Sequence, residues 1–254
     1  MNNLSHTIRK FNRFELKYLV SMQQAEAFKQ SLLAYLVPDN HGDGQGSYGV
    51  TSLYYDGPEY RFYWEKIDGI RFRRKLRIRH YLNGQPLADD QPVYVEIKQR
   101  LNRVTQKRRL VLSYQDALRL CNEHQWPQHT TGDNATAEEI MSMLWQYDLR
   151  PASVVTYNRL ALVGTDYDIG LRVTFDRDLH CRNHPLTLQD SQSDTLMYPA
   201  DWCIIEIKAN ERVPYWLTGE VARHQLSLMR VSKYCRSIEL GSMIQAAQPQ
   251  YHAL

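Results

Sequence analysis

The chain has no paired cysteines. Its four cysteines, Cys121, Cys181, Cys203 and Cys235, stand apart without a CxxC spacing, which argues for reduced thiols in a cytosolic setting rather than a disulfide framework. Cys181 and His184 have a zinc-like spacing, but no second pair completes a four-ligand set. The N-terminus lacks the apolar core of a signal peptide, and no apolar run approaches the roughly 18 residues needed to span a bilayer. A cytoplasmic protein without a transmembrane segment is therefore expected. There is no GxxxxGK[ST] phosphate loop, no HExxH and no GxSxG elbow, so three common routes to phosphate, metal or acyl chemistry lack support. A large charge of one sign is missing too. The net charge is +3 with 23% charged residues, so any basic cluster is local and a broad nucleic-acid surface is not expected. At 254 residues with 43% hydrophobic, the chain can bury a substantial core, and one domain is the simpler expectation.

What is present is a basic ladder, Arg71-Phe72-Arg73-Arg74-Lys75-Leu76-Arg77-Ile78-Arg79-His80-Tyr81. Side chains alternate along a strand, so Arg71, Arg73, Lys75, Arg77, Arg79 and Tyr81 share one face, opposite mainly Phe72, Leu76, Ile78 and Leu82. Same-face neighbours lie roughly 7 Å apart, inside the Debye length at physiological salt, so the cations repel unless an anion lies over them. A lone basic strand is usually a solvated edge that guards against aggregation. Here the design recurs. Arg13, Glu15 and Lys17 oppose Phe14, Leu16, Tyr18 and Val20 within 9–20. Residues 48–56 set Val50, Ser52, Tyr54 and Asp56 against Thr51, Leu53 and Tyr55. Tyr94, Glu96, Lys98 and Arg100 oppose Val93, Val95 and Ile97, and Arg103, Thr105, Lys107 and Arg109 oppose Val104, Leu110 and Leu112. Val155, Tyr157, Arg159 and Ala161 share a face; Asp168, Gly170, Arg172, Thr174 and Asp176 oppose Ile169, Leu171, Val173 and Phe175; and Ile204, Glu206 and Lys208 oppose Cys203, Ile205 and Ile207.

Between these strands run helical patterns. Ser21 with Gln24 makes a capping box for a stripe of Ala25, Phe28, Leu32, Leu33 and Leu36 ending before Pro38. Gly42, Gly44 and Gly46 mark a loop over 39–47, and a short helix fits 59–67. Ser113 opens a helix to about 124, Thr136 with Glu139 caps another, and a last helix near 214–229 precedes Ser232-Lys233-Tyr234 and a short final strand. Roughly eight strands with one charged and one apolar face, plus helices with apolar stripes, are best satisfied by an α+β architecture: a closed antiparallel β-barrel with a polar lumen and flanking helices. Buried cations need water, carboxylates or a bound polyanion, so the pattern encodes an anion tunnel.

The motifs Phe14-Glu15-Leu16-Lys17-Tyr18, Lys75-Leu76-Arg77-Ile78-Arg79-His80-Tyr81, Val95-Glu96-Ile97-Lys98, Thr156-Tyr157-Asn158-Arg159, Leu171-Arg172-Val173, Ile205-Glu206-Ile207-Lys208 and Ser232-Lys233-Tyr234, in that order, resemble the VTC domain, the polyphosphate polymerase branch of the CYTH-like triphosphate tunnel metalloenzymes. The resemblance spans about 9–240 and implies a single tunnel domain over 1–254. It implies a phosphotransferase that moves the γ-phosphate of ATP onto a growing inorganic polyphosphate and releases ADP. The cofactor it implies is a divalent metal, manganese first and magnesium second. It marks Lys17, Arg77, Arg79, Lys98, Arg159, Arg172 and Lys233 as catalytic phosphate ligands and Glu206 as the metal ligand. Glu15, Arg73, Lys75, Lys107, Arg109, Tyr157, Lys208 and Ser232 are expected to line the substrate path, with Glu15 and Glu96 as counter-ions and Tyr54, Tyr157 and Tyr234 as hydroxyl donors or packing. The family also implies docking to a membrane protein at the inner face of a membrane.

The nearest rival is a tunnel triphosphatase, whose first strand typically carries Glu-x-Glu-x-Lys; Arg13 replaces the first of those carboxylates here, which favours transfer onto phosphate over water. A non-catalytic polyphosphate-binding module is the rival of a different class. Nucleic acid is not expected, because single-strand binding wants aromatics interleaved with the cations and the main ladder offers chiefly Tyr81.

Overall fold

The computed structural model describes residues 13–40, 45–102, 104–127, 134–190, 194–210 and 212–241, without the side chains of Arg13 and Tyr167. The expectations for Arg103, for the Arg13 side chain, for Gly42 and Gly44, and for residues 9–12 lie outside this set. Ten antiparallel strands form one sheet. They are β1 Arg13–Ser21, β2 Leu36–Pro38, β3 Ser47–Asp56, β4 Phe72–Leu82, β5 Pro92–Leu101, β6 Val104–Ser113, β7 Arg150–Gly164, β8 Arg172–Arg182, β9 Thr195–Leu196 and β10 Trp202–Asn210. The main path runs β1-β10-β8-β7-β3-β4-β5-β6, with β2 on β7 and β9 on β8. Six α-helices flank it: α1 Met22–Leu32, α2 Arg61–Ile67, α3 Tyr114–Glu123, α4 Asn134–Tyr147, α5 Tyr215–Arg223 and α6 Lys233–Gly241.

The alternation seen in the sequence becomes an inside and an outside. Leu76 and Ile78 of β4 and Val93, Val95 and Ile97 of β5 are fully buried beneath the helices, in one apolar cluster with Phe62 of α2, Leu120 of α3, Ile140 of α4 and Ile238 of α6. A second cluster joins Phe28 and Leu32 of α1 and Leu217 of α5 to Val173, Ile205 and Ile207. Each such side chain contributes roughly 1.5–3 kcal/mol by leaving water. The outward Arg74 of β4 confirms the phase of the strand: its guanidinium lies 4.8 Å from the Tyr147 ring centre and donates to the Tyr147 hydroxyl.

The barrel is completed by side chains. Among the described residues no backbone ladder joins β6 to β1; instead Lys98 Nζ of β5 reaches Glu15 of β1 at 2.8 and 3.0 Å. The free edge of β1 is covered by the segment before α6, where Leu228 bridges Tyr18 and Met229 N donates to Lys17 O at 2.8 Å. Asp56, at the end of β3, fastens α2. Its carboxylate accepts from Gly57 N at 2.8 Å, Phe62 N at 2.9 Å and Tyr63 N at 3.0 Å, and from the hydroxyl of Tyr234 in α6.

Several elements depart from the sequence expectation. The Ser21 and Gln24 capping box is present, but α1 stops at Leu32, because the next residues turn back to pair Leu36 with Gly164 in β2. Leu36 is buried from that strand, and Leu33 is 46% exposed. Helix α4 begins at Asn134, so Thr136 sits inside its first turn, and Glu139 turns instead to Arg108 of β6. Residues Asp166–Asp168 form a 3-10 turn, so Asp168 is outside β8, where it accepts from Trp216 Nε1 at 3.0 Å. Helix α5 ends at Arg223. After Ser232 the chain forms α6 rather than a strand, with Ser232 Oγ capping Cys235 N at 3.2 Å.

Candidate functional site

Seven strands and α6 send cations into the lumen. Glu96 of β5, with its side chain fully buried, is the hub. Arg77 donates to it at 2.9 and 2.6 Å, Arg109 at 2.9 and 2.7 Å and Lys107 at 3.3 Å, while Arg79 lies 3.9 Å away. The register explains the convergence, since Arg77, Glu96 and Arg109 sit opposite one another across β4, β5 and β6. Arg77 also donates to Tyr54 Oη at 3.0 Å, and Arg79 donates to Ser52 Oγ and Tyr157 Oη at 3.2 Å each.

Across the seam β1 and β10 form a square of alternating charge, because Glu15 pairs in register with Lys208 and Lys17 with Glu206. Lys17 Nζ lies 3.0 Å from Glu15 and 3.6 Å from Glu206, and Lys208 Nζ lies 2.8 Å from Glu206. Beside them Asp176 of β8 accepts from Arg159 Nε at 2.6 Å and Nη2 at 2.8 Å and from Lys233 Nζ at 2.6 Å. Arg172 stands further along, held by Asp39 at 2.6 Å and Tyr48 Oη at 2.8 Å. Lys75 reaches Ser232 Oγ at 2.9 Å.

These contacts fix the charge states. Burial pushes the Glu15 carboxyl up, as does Glu206, but Lys98, Lys17 and Lys208 outweigh them and hold it down at about 2. For Glu206, Glu96 and Asp176 burial acts upward too, and the surrounding cations hold each well below the usual carboxylate range. Burial alone would lower the pKa of Lys17, Arg77 and Arg159, yet the carboxylates and phenols beside them hold all three above their ordinary values. Lys208 goes the other way: burial, with Arg159 and Lys98, outweighs Glu206 and Glu15 and brings it to about 8. Burial raises Tyr54 as well, but Arg77, Arg79 and Lys75 bring its phenol down to about 7.

A divalent cation fits the β1 and β10 wall. Glu206 and Glu15 present two ionised carboxylates on neighbouring strands, both against Lys17 Nζ, and the charge of Glu206 pushes the Glu15 pKa up. Among the described residues no cluster of three or more His, Cys, Asp or Glu could form an all-protein cage. One or two carboxylates completed by substrate phosphates is the usual arrangement for small hard cations at phosphoryl-transfer sites.

The lumen brings together Lys17, Lys75, Arg77, Arg79, Lys98, Lys107, Arg109, Arg159, Arg172, Lys208 and Lys233, eleven cations, against the five carboxylates Glu15, Asp39, Glu96, Asp176 and Glu206. Lys107, 46% exposed, lies at a mouth. Tyr234 does not face the lumen with its hydroxyl, which is committed to Asp56. Ser52, Asp39, Tyr48 and the pairing of Asp176 with Lys233 were not foreseen. Ser52 lay on the face already read as polar, whereas the Asp176–Lys233 contact joins residues distant in sequence and leaves no local mark.

Among comparisons with known proteins, no curated relative matches the chain. Solved structures that resemble it include a candidate adenylate cyclase of Bacillus halodurans, 16% identical, covering 87% of this chain and 95% of that one with a TM-score of 0.47. Another, from Vibrio parahaemolyticus, is 11% identical, covers 89% and 98%, and has a TM-score of 0.46. A third, from Hippeastrum, described as having a dominant triphosphatase activity, is 12% identical, covers 95% and 100%, and has a TM-score of 0.48. The sequence model of the VTC domain matches residues 12–241, nearly the whole of the described chain, and this protein belongs to that family.

Proposed function

We propose that the protein is an ATP-dependent polyphosphate polymerase: the terminal oxygen of a polyphosphate attacks the γ-phosphorus of ATP, the bond to the β-phosphate oxygen breaks, and ADP leaves. The observation that carries this reading is that each of the lumen carboxylates Glu15, Glu96, Asp176 and Glu206 is ion-paired with at least two Lys or Arg side chains. Glu15, Glu96, Asp176 and Glu206 are all ionised, surrounded by cations and held below the usual carboxylate range, so each is a weak base. Hydrolysis would have to generate a nucleophile from water. A terminal phosphate is already an oxyanion and needs only alignment and charge neutralisation, which fixed Arg and Lys side chains supply.

In this reading Arg77, Arg79, Arg159 and Arg172 grip phosphate oxygens through their planar forks, while Lys17, Lys98 and Lys233 act as point charges. Ser232 and Tyr157 add hydroxyls, and Glu15, Glu96 and Asp176 aim the cations and limit their mutual repulsion. Glu206, with Glu15, would hold a divalent metal, manganese or magnesium, which when bound neutralises charge on donor oxygens. No helix among the described residues is long and apolar enough to cross a membrane.

Purified protein with ATP and manganese should give ADP and a ladder of polyphosphate on a gel. Release of stoichiometric free phosphate without polymer would turn the assignment to a triphosphatase. Glu206→Gln should remove metal-dependent turnover and leave tripolyphosphate binding in place, since it deletes an anionic ligand and no cation. Unchanged turnover would reduce Glu206 to a counter-ion.

A further inference from the structure

Outside the lumen, the turn that carries the chain from α2 into β4 leaves an apolar surface open to water. Trp64 and Ile67 stand three residues apart on α2 and so share one helix face. The backbone then folds back, with Asp68 N donating to Trp64 O at 2.8 Å and Ile70 N to Glu65 O at 3.0 Å, which returns Ile70 to the end of that helix. Phe72 opens β4 directly opposite Leu101 of β5, and Asn102 N ties the two turns together by donating to Arg71 O at 2.8 Å. Trp64, Ile67, Ile70, Phe72 and Leu101 are each between 40% and 52% exposed. Single exposed apolar residues are ordinary, but five along one edge of a fold mark a surface that meets something. The same edge is basic. Arg71 is exposed between Ile70 and Phe72, the Arg74 guanidinium lies 5.1 Å from the Phe72 ring centre, and Arg100, beside Leu101, donates from Nε to the Asn102 carbonyl at 2.9 Å. Arg73, half-buried, stands opposite Arg100 in register, like charge against like. From Trp64 to Arg74 the chain carries four cations against two acids, and one of those acids, Glu65, is taken up by Arg61 at 3.1 Å.

We propose that this edge docks the protein directly on an anionic lipid bilayer, with Trp64, Ile67, Ile70 and Phe72 entering the headgroup region and the arginines around them pairing with negative headgroups. Charge complementarity selects the occupant. Two copies meeting face to face would set arginine against arginine, so a second copy suits the apolar side chains and not their rim. A bilayer offers hydrocarbon behind a layer of negative charge and suits both, and tryptophan is at home at that boundary. The apolar side chains and Arg71 stand apart from the lumen cations and their carboxylates, so docking is separable from whatever the lumen binds or turns over.

Sedimentation of the full chain with protein-free vesicles tests the docking. Vesicles of phosphatidylcholine and phosphatidylserine in equal parts should carry the protein down, and vesicles of phosphatidylcholine alone should carry far less. The double variant Ile67→Ser, Ile70→Ser should weaken partition onto the mixed vesicles about tenfold or more, because it removes inserted hydrocarbon and no charge. Arg71→Glu, which keeps every apolar side chain, should weaken it by a similar factor through repulsion from the headgroups. Tripolyphosphate affinity should stay at the wild-type value in both. Ile169→Ser with Tyr215→Ser removes side chains that are more exposed still but lie on either side of Asp168, which accepts from Trp216 Nε1 at 3.0 Å, and should leave partition unchanged. Equal loss in the two double variants, or partition that ignores phosphatidylserine and Arg71, would overturn an anionic-lipid surface. So would a wild-type protein that stays in solution with the mixed vesicles. A dimer in sedimentation velocity that Ile67→Ser, Ile70→Ser alone abolishes would give the surface to a second copy instead.

Discussion

At the level of single side chains, Tyr54 accepts from Arg77 at 3.0 Å while Arg79 and Lys75 act on it from the same wall, and their field brings its phenol to about 7 against burial. An acid whose folded pKa lies below its unfolded value adds stability that is complete above the unfolded pKa of 10.0 and is lost as pH falls through about 7. The unliganded protein should therefore gain stability as pH rises from about 7 towards 10 through this residue. Anion binding should move oppositely, because a phenolate beside Arg77 competes with phosphate. Tripolyphosphate affinity measured across that range in wild type and Tyr54→Phe should converge at low pH and diverge at high pH, with the variant the tighter binder. Equal pH profiles would show that Tyr54 stays neutral. Arg77 and Arg74 give a second comparison on one strand. Arg77→Ala should weaken tripolyphosphate binding about ten- to a hundredfold, since a charge-assisted contact is worth roughly 1.5–3 kcal/mol. Arg74→Ala should leave binding nearly unchanged, because its guanidinium packs outward on Tyr147. Equal sensitivity at the two positions would mean a diffuse basic surface and not a lumen.

Among the elements, those whose faces are set by local alternation were legible in the sequence, and those set by distant partners were not. On β4 the period of two alone separates Arg77 and Arg79 from Leu76 and Ile78, and the structure places them inside and outside. The same holds for Glu96 against Val95 and Ile97, and for Glu206 against Ile205 and Ile207. The sequence suggests a strand after Ser232, whereas the structure forms helix α6, whose buried Tyr234, Cys235, Ser237 and Ile238 fall at helical spacing over a run of only nine residues; the Ser232 cap and the Tyr234 contact with Asp56 hold it. Strand β2 was absorbed into α1 for a similar reason, since nothing before Pro38 announces the pairing with β7. Asp56 shows how much such a distant contact carries. It is 2% exposed, accepts three backbone N–H groups and the Tyr234 hydroxyl, and so ties β3 to α2 and α6. Asp56→Ala should strand those donors and cost about 3–5 kcal/mol in denaturant unfolding. Tyr234→Phe, removing one donor and leaving the three amides, should cost about 1 kcal/mol. A loss at Asp56 no larger than that at Tyr234 would mean that α2 is held by its apolar face alone.

For the whole molecule, the decisive feature is a barrel whose last seam is electrostatic. Between β6 and β1 the described residues show no ladder, and Glu15 with Lys98 spans the gap. The lumen carries more cations than acids, so the carboxylates restrain the wall from opening. Glu15 has its pKa lowered from 4.5 to about 2, which makes its contribution complete above about 4.5 and lost as pH falls through about 2. That shift corresponds to roughly 3 kcal/mol. Glu96, Asp176 and Glu206 are lowered in the same direction, so the losses fall in the same acid range and leave the cations to repel one another. Acid titration followed by near-UV circular dichroism should thus show a cooperative loss of structure below about pH 4.5. Glu15→Gln should be less stable at neutral pH and show a shallower acid dependence. Tripolyphosphate, still anionic in this range, should replace the missing carboxylate charge and move the transition to lower pH, by the linkage that favours any state binding the ligand. Added chloride at matched ionic strength screens but does not bridge the wall, and should move it far less. If chloride and tripolyphosphate act alike, the seam is closed by packing and the lumen charge has no part in holding it.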